Sequence, residues 1–203
     1  PGVDGFVISL DMLVYGGLVP SRFIEDDLLA LRKRLMLLQE IRAQWPTKPI
    51  FAFAATMRIS NNNVAEEEKA YWSQFGTALW AWSFHTDRAS QVGDSVQAAQ
   101  SLAQAQQLAQ QIPAAIQRDY VRTRQRNFQI TQQALQAVRD GAITRLVLPQ
   151  DDTAEFGMNV AERRQLQQQV QALGIESQVA IYAGADEVMH TLCARLVSAL
   201  EQR

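Results

Sequence analysis

Charged side chains follow each of four apolar runs in this sequence. They are Asp11 after the first run, Arg58 after the second, Asp151 and Asp152 after the third, and Asp186 and Glu187 after the fourth. Parallel strands end on one edge of a sheet, so these side chains are expected to share a crevice. Five carboxylates and the arginines Arg22 and Arg58 would then face it, and this convergence is the strongest functional indication in the sequence.

Paired carboxylates are suited to glycoside hydrolysis, in which one carboxyl group acts as acid and the other as base or nucleophile. Their separation is ~5 Å for retention or ~6.5–9.5 Å for inversion. The leading hypothesis is a carbohydrate-acting hydrolase with a small-molecule substrate, although enzymatic activity is itself an open question. The predicted catalytic residues are Asp11 and Asp151, and Asp152 is the alternative candidate. The predicted substrate-binding residues are Tyr15, Arg22, Arg58, Asn127, Asp186 and Glu187.

Three other interpretations stay open at this point. Clustered aspartates suit Mg²⁺ and arginines suit phosphate, so Mg²⁺-dependent phosphoryl transfer is the alternative enzyme. The crevice is also suited to a non-catalytic sugar- or nucleotide-binding module, or to a scaffold in which the acids pair with Arg22 and Arg58. No cofactor is expected under the leading hypothesis. His85 and His190 lack zinc-binding context, so no metal ligands are assigned.

Some of these polar residues have structural explanations. Asp186 is suited to capping the last helix, and residues 66–68 are suited to a solvated first helical turn. Gly16 and Gly17 lack a phosphate-loop spacing and favour a turn. Asp11 follows directly on a predicted strand and begins a predicted loop at 11–24; no helix is expected to begin beside it, so a capping role is hard to assign.

Strands are predicted at residues 5–10, 49–56, 144–148 and 178–182, from short runs of consecutive apolar residues. Helices are predicted at 26–44, from 64, at 94–111, 113–139, 159–173 and from 188. The helices from 64 and from 159 are placed by the capping boxes Asn63/Glu66 and Asn159/Glu162. This alternation predicts an α/β fold with an open parallel sheet, Rossmann-like or flavodoxin-like, and a helical insertion at about 88–139 between the second and third strands.

The bulk properties narrow the class of protein. The chain has 203 residues, which suits one α/β domain over 1–203. Its net charge of −2 does not indicate a positively charged surface that binds nucleic acid. No apolar run reaches the ~18–20 residues that span a bilayer, so no membrane association is expected.

The single cysteine, Cys193, suits a reducing compartment, and a cytoplasmic location is expected. The chain begins Pro1-Gly2-Val3, and we expect it to be a fragment of a longer protein. The sequence does not indicate an oligomeric state.

Three blocks resemble the signatures of a known family. DMLVYGGLVPSR at 11–22, PQDD at 149–152 and GADEV at 184–188 are similar to the bacterial domain of unknown function family 4127. Met57-Arg58 and Arg126-Asn127 fit the same family, so the resemblance covers essentially the whole chain. The family has no agreed activity. The resemblance therefore implies which loops are important for function, but it does not imply a substrate.

Overall fold

The computed structural model describes residues 2–151 and 154–201. Within these residues, four parallel strands form a sheet in the order β1-β2-β3-β4. The strands are β1 (Phe6–Ser9), β2 (Ile50–Phe53), β3 (Arg145–Gln150) and β4 (Val179–Ala183). The predicted α/β fold with an open parallel sheet is confirmed.

Helices cover both faces of this sheet. Each strand pairs with the next one along the chain, and right-handed crossovers that advance in one direction keep their helices on one face. The last helix, α8 (Val188–Glu201), follows β4 and packs against β1 and β2. Alternate strand residues accordingly join different clusters: Ala52 belongs to the large core, whereas Phe51 packs with Leu192 of α8.

The other described helices lie in the crossovers. The first crossover contains α1 (Leu10–Tyr15), α2 (Leu28–Leu35) and α3 (Leu37–Gln44), the second contains α4 (Trp72–Gln91), α5 (Ser95–Gln111) and α6 (Ala114–Arg139), and the third contains α7 (Met158–Leu173). The helix predicted at 26–44 is thus two helices that meet at Met36. None of the helices in the described ranges combines the length and apolar character needed to cross a membrane.

The predicted loop at 11–24 is wrong in its first part, because α1 begins directly after β1. Ser9 is its N-cap, and its Oγ accepts a hydrogen bond from Met12 N at 3.2 Å. Burial of Leu10 and Val14 anchors the helix in the core. It ends at Gly16, whose φ of 81° is a left-handed conformation that favours glycine. Asp11 therefore lies in the first turn of a helix.

The helix predicted from Val64 begins later than expected, because α4 starts at Trp72. Tertiary contacts override the capping pattern: Asn63 Oδ1 accepts from Thr77 N at 2.9 Å instead of bonding within its own segment. The loop lies directly on α4 at Gly76, where a Cβ atom would come within 2.2 Å of Asn62 O. Only glycine permits this approach, which places residues 60–63 beside the first turns of α4.

The second capping box is also wrong, because α7 is capped from another helix. Its N-terminal residue pair, Gly157 and Met158, donates backbone N–H groups to Asp87 Oδ2 at 2.9 Å and to Ser83 Oγ at 2.7 Å, both on α4. Asp87 also pairs with Arg164 of α7. These bonds attach α4 to α7.

Replacing Asp87 with alanine is expected to lower the unfolding free energy by ~2 kcal/mol, because a buried cap is lost together with an ion pair. Asp94 is the matched control: it caps α5 by accepting from Val96 N and Gln97 N, but it is exposed. Asp94→Ala is expected to cost ~1 kcal/mol or less. Urea unfolding of both variants measures the difference, and equal costs would contradict the role assigned to Asp87.

Candidate functional site

Hydrogen bonds join the carboxyl ends of the four strands. Asp11 Oδ2 accepts from Ala55 N at 2.9 Å, just beyond β2. Thr56 N then donates to Pro149 O of β3 at 3.0 Å, and Gly184 N donates to Gln150 O at 2.9 Å. The residues that follow the strands therefore lie along one continuous edge.

Asp11 lies inside the protein at this edge. Its exposed fraction is 4%, and burial raises the pKa of its carboxyl group to about 6, against the opposing effects of the Ala55 N–H group and Arg22. It lines a small cavity of about 20 Å³ together with Thr131 and Glu162. A cavity of this size holds about one water molecule, and it is too small for a sugar ring.

Tyr15 and Asn127 also lie in the interior. Burial raises the pKa of the Tyr15 hydroxyl above its usual range, and Arg126 lies over the Tyr15 ring at 5.9 Å. Asn127 Nδ2 donates to Ser21 O at 2.9 Å. Arg126 donates to the same carbonyl and to Ile24 O. Both α6 side chains therefore hold the 20–24 segment, which carries Arg22, in place.

Arg22 and Arg58 come together around two glutamates. Arg22 Nη1 lies 3.2 Å from Glu68 Oε1 and 3.4 Å from Glu67 Oε2. Arg58 Nη2 donates to Glu67 Oε2 at 2.8 Å, and Arg58 Nε lies 3.6 Å from Glu68 Oε1. Burial raises the pKa of Glu68, while both arginines oppose that rise. The two predicted arginines thus form one cluster with acids that the sequence assigned to a solvated helical turn.

An open cleft adjoins this cluster, which we name the Trp80 cleft. It has a volume of about 310 Å³ and is lined by Arg58, Ile59, Ser60, Asn61, Trp80, Asp151 and Ala154. Trp80 stacks on Phe84 with ring centroids 5.4 Å apart, which fixes the indole plane. Asp151 Oδ2 lies 3.7 Å from Arg58 Nη1. An aromatic ring, a guanidinium, an amide and a carboxylate therefore line one cleft.

Arg124 fixes the backbone that carries Arg58. It is buried on α6 and donates to Met57 O at 2.8 Å and to Arg58 O at 3.2 Å. Its other N–H groups bind Glu162 of α7 through two hydrogen bonds, at 2.9 and 2.6 Å. Burial raises the pKa of Glu162, and Arg124 opposes that rise. Sequence reasoning missed Arg124, because nothing in the local pattern of α6 distinguishes it from its exposed neighbour Arg122.

Asp186 and Glu187 lie apart from the Trp80 cleft. Asp186 and Glu187 are exposed and line a separate pocket of about 310 Å³ after β4. Asp152 lies outside the described residues. In the part of the chain that the structure describes, no three His, Cys, Asp or Glu side chains group in a way that could hold a metal ion.

Comparison with known proteins places the chain in a family. Searches of curated proteins and of solved structures find no match. The family described as Protein of unknown function (DUF4127) matches residues 1–203, the whole chain, in agreement with the resemblance seen in the sequence. The chain with the Trp80 cleft belongs to this family of proteins of unknown function.

Proposed function

We propose that this chain is a carbohydrate-acting hydrolase that binds its substrate in the Trp80 cleft. The observation that carries the proposal is the convergence of Trp80, Arg58, Asn61 and Asp151 on one open cleft at the carboxyl edge of the sheet. Crevices at this edge are the usual ligand sites of open α/β sheets.

Each group in the cleft matches a feature of a sugar. An indole ring offers a flat apolar surface to the C–H face of a pyranose. The Asn61 amide both donates and accepts hydrogen bonds, the Asp151 carboxylate accepts them, and Arg58 donates them, so sugar hydroxyls find partners of both kinds. The combination of an apolar platform with a few convergent polar groups is typical of small-molecule sites.

Hydrolysis requires a second carboxyl group besides Asp151. We assign that role to Asp11, because a carboxyl group whose pKa is about 6 retains a proton closer to neutrality than an ordinary aspartate. Asp11 follows β1 and Asp151 follows β3, on either side of the end of β2. Substrate must therefore widen the small cavity around Asp11 for both groups to act on one bond.

A non-catalytic carbohydrate-binding module is the second candidate. The enclosure of Asp11 favours it, because the cleft then contains the Asp151 carboxylate without its proposed partner. This candidate predicts sugar binding without turnover, whereas the hydrolase predicts both.

Trp80→Ala is expected to weaken the binding of neutral sugars by ~2- to 10-fold, because a stacked aromatic contact contributes ~0.5–1.5 kcal/mol and 1.4 kcal/mol is a factor of ten. Trp82→Ala is the matched control, since Trp82 lies on the same helix and packs against the same apolar cluster as Trp80 but does not line the cleft. Titration calorimetry with mono- and disaccharides measures both variants. Equal affinities for the two variants would contradict the placement of the sugar.

Turnover of aryl glycosides separates the two candidates. The hydrolase predicts that Asp151→Asn binds sugar but loses turnover, while the exposed control Asp186→Asn keeps both. Sugar binding without turnover in the wild-type protein would favour the binding module. Binding of a phosphosugar that depends on Mg²⁺, with no binding of neutral sugars, would replace both candidates with phosphoryl transfer.

A further inference from the structure

Arg22 is a buried arginine whose hydrogen-bonding capacity is mostly unused. Its side chain is 2% exposed, and the hydrogen bonds that it makes to described residues all pass through Nη1, to Glu67 O at 3.0 Å and to the carboxylates of Glu67 and Glu68. Its Nε is buried with no hydrogen-bond partner among residues 2–151 and 154–201. Leaving a buried charged donor unpaired is costly, so this guanidinium is suited to a further acceptor.

The two glutamates beside Arg22 differ in accessibility. The Glu68 side chain is 4% exposed and lies between the two arginines, as a fixed inner counter-ion. The Glu67 side chain is 52% exposed, and its Oε2 alone contacts both Arg22 Nη1 and Arg58 Nη2. Glu67 is therefore an outer carboxylate that solvent reaches and that another anion is able to replace.

Arg58 connects this cluster to the Trp80 cleft. It lines the cleft and its side chain is 30% exposed. The 3.7 Å separation between its Nη1 and Asp151 Oδ2 is too long for a hydrogen bond, so within the described residues Nη1 keeps a donor for a ligand. A sugar lying on Trp80 thus has a cationic group at one end of its site.

We infer that Arg22 and Arg58 bind the carboxylate of an acidic sugar, a uronic acid, and that Glu67 occupies this position until the substrate displaces it. This inference rests on the proposed function and names its substrate class. A planar carboxylate reproduces the contacts of Glu67 and, with both oxygens engaged, pairs with more N–H donors than the single Glu67 oxygen does. Arginine binds carboxylates by such paired, charge-assisted hydrogen bonds.

The test compares D-glucuronate with D-glucose, which share a ring and differ in the carboxylate, by calorimetry at low salt. Wild-type protein is expected to bind glucuronate more tightly than glucose. Glu67→Gln is expected to tighten glucuronate binding ~10-fold by removing a competing charge, with glucose binding unchanged. Glu66→Gln, an exposed neighbour, is the control and is expected to change neither. Arg58→Gln is expected to abolish the preference for glucuronate.

The outcomes separate the inference from the proposed function. If Glu67→Gln binds glucose normally but glucuronate no better than the wild type, the inference is overturned and the sugar cleft stands. If Glu67→Gln gains glucuronate binding while no variant binds glucose, the anion site stands and the neutral-sugar prediction fails. Inorganic phosphate is titrated in parallel, and a phosphate affinity above that of glucuronate overturns the choice of a carboxylate. Thermal unfolding confirms that each variant is folded.

Discussion

Replacing Arg124 with methionine is expected to lower the free energy of unfolding by about 3–5 kcal/mol, the usual cost of breaking a buried ion pair by removing one partner. Three consequences combine in this variant. Glu162 loses both of its hydrogen bonds to the guanidinium, and the carbonyls of Met57 and Arg58 each lose a donor. Equilibrium urea unfolding measures the cost.

The control for Arg124 lies half a turn away on the same helix. Arg122 is 80% exposed and pairs with Asp119 three residues earlier, so Arg122→Met is expected to cost less than ~1 kcal/mol. Arg124→Lys keeps the charge but loses the planar guanidinium group, so an intermediate loss of unfolding free energy is expected. If Arg124→Met costs no more than Arg122→Met, Arg124 does not hold the site together.

Arg124 also links fold stability to the cleft. Because it binds the backbone at Met57 and Arg58, its loss frees the segment that places the Arg58 guanidinium beside Trp80. Removing both charges with Arg124→Met and Glu162→Leu is expected to recover part of the stability, since an apolar pair of similar volume avoids the desolvation cost. Sugar affinity is expected to stay low in that double variant, because the two backbone contacts are still missing.

Asp11→Asn is expected to stabilise the protein above pH 6 by up to ~3 kcal/mol, the free energy that corresponds to a pKa raised from 3.8 to about 6. The sign follows from proton linkage. The folded state binds the Asp11 proton more tightly than the unfolded state, so stability falls as pH rises from about 4 to 6 and is lowest above that range. Asparagine is neutral throughout and still accepts from Ala55 N.

Thermal unfolding at pH 4, 6 and 7.5 tests this prediction. The wild-type protein is expected to lose stability relative to Asp11→Asn across this range, and each kcal/mol corresponds to roughly 2–4 °C in Tm for a chain of this size. A variant that is less stable than the wild type at pH 7.5 would show that the charged form, held by Arg22, supports the fold. If Asp11→Asn is instead more stable than the wild type, Asp11 lowers the stability of the native protein, as functional acids often do.

The parts of the fold that sequence predicts well are those determined by local patterns. Consecutive apolar residues gave all four strands, and the long helix α6 begins just after Pro113 and ends just before Gly141, as expected. The failures occur where distant residues decide the local structure. Asn63 bonds to Thr77 on another element, and Glu162 bonds to Arg124, so neither capping box forms.

The candidate site was predicted in outline but not in its pairings. Arg58 and Asp151 were expected at the strand ends, and both line the Trp80 cleft. The sequence gives no indication that Glu67 and Glu68 pair with Arg22, because a helical first turn and a buried ion cluster favour the same acidic residues. Trp80 was not among the predicted site residues, since aromatic residues at helical spacing are usual in a core.

The most direct measurement is a crystal structure of the protein with the sugar that binds most tightly in calorimetry. We expect a pyranose ring over the indole of Trp80, with hydroxyl groups within hydrogen-bonding distance of Asn61 and Asp151. A sugar bound elsewhere, such as in the glutamine-lined groove near Gln132 and Gln169, or a Trp80 cleft that stays empty at saturating sugar, would contradict it.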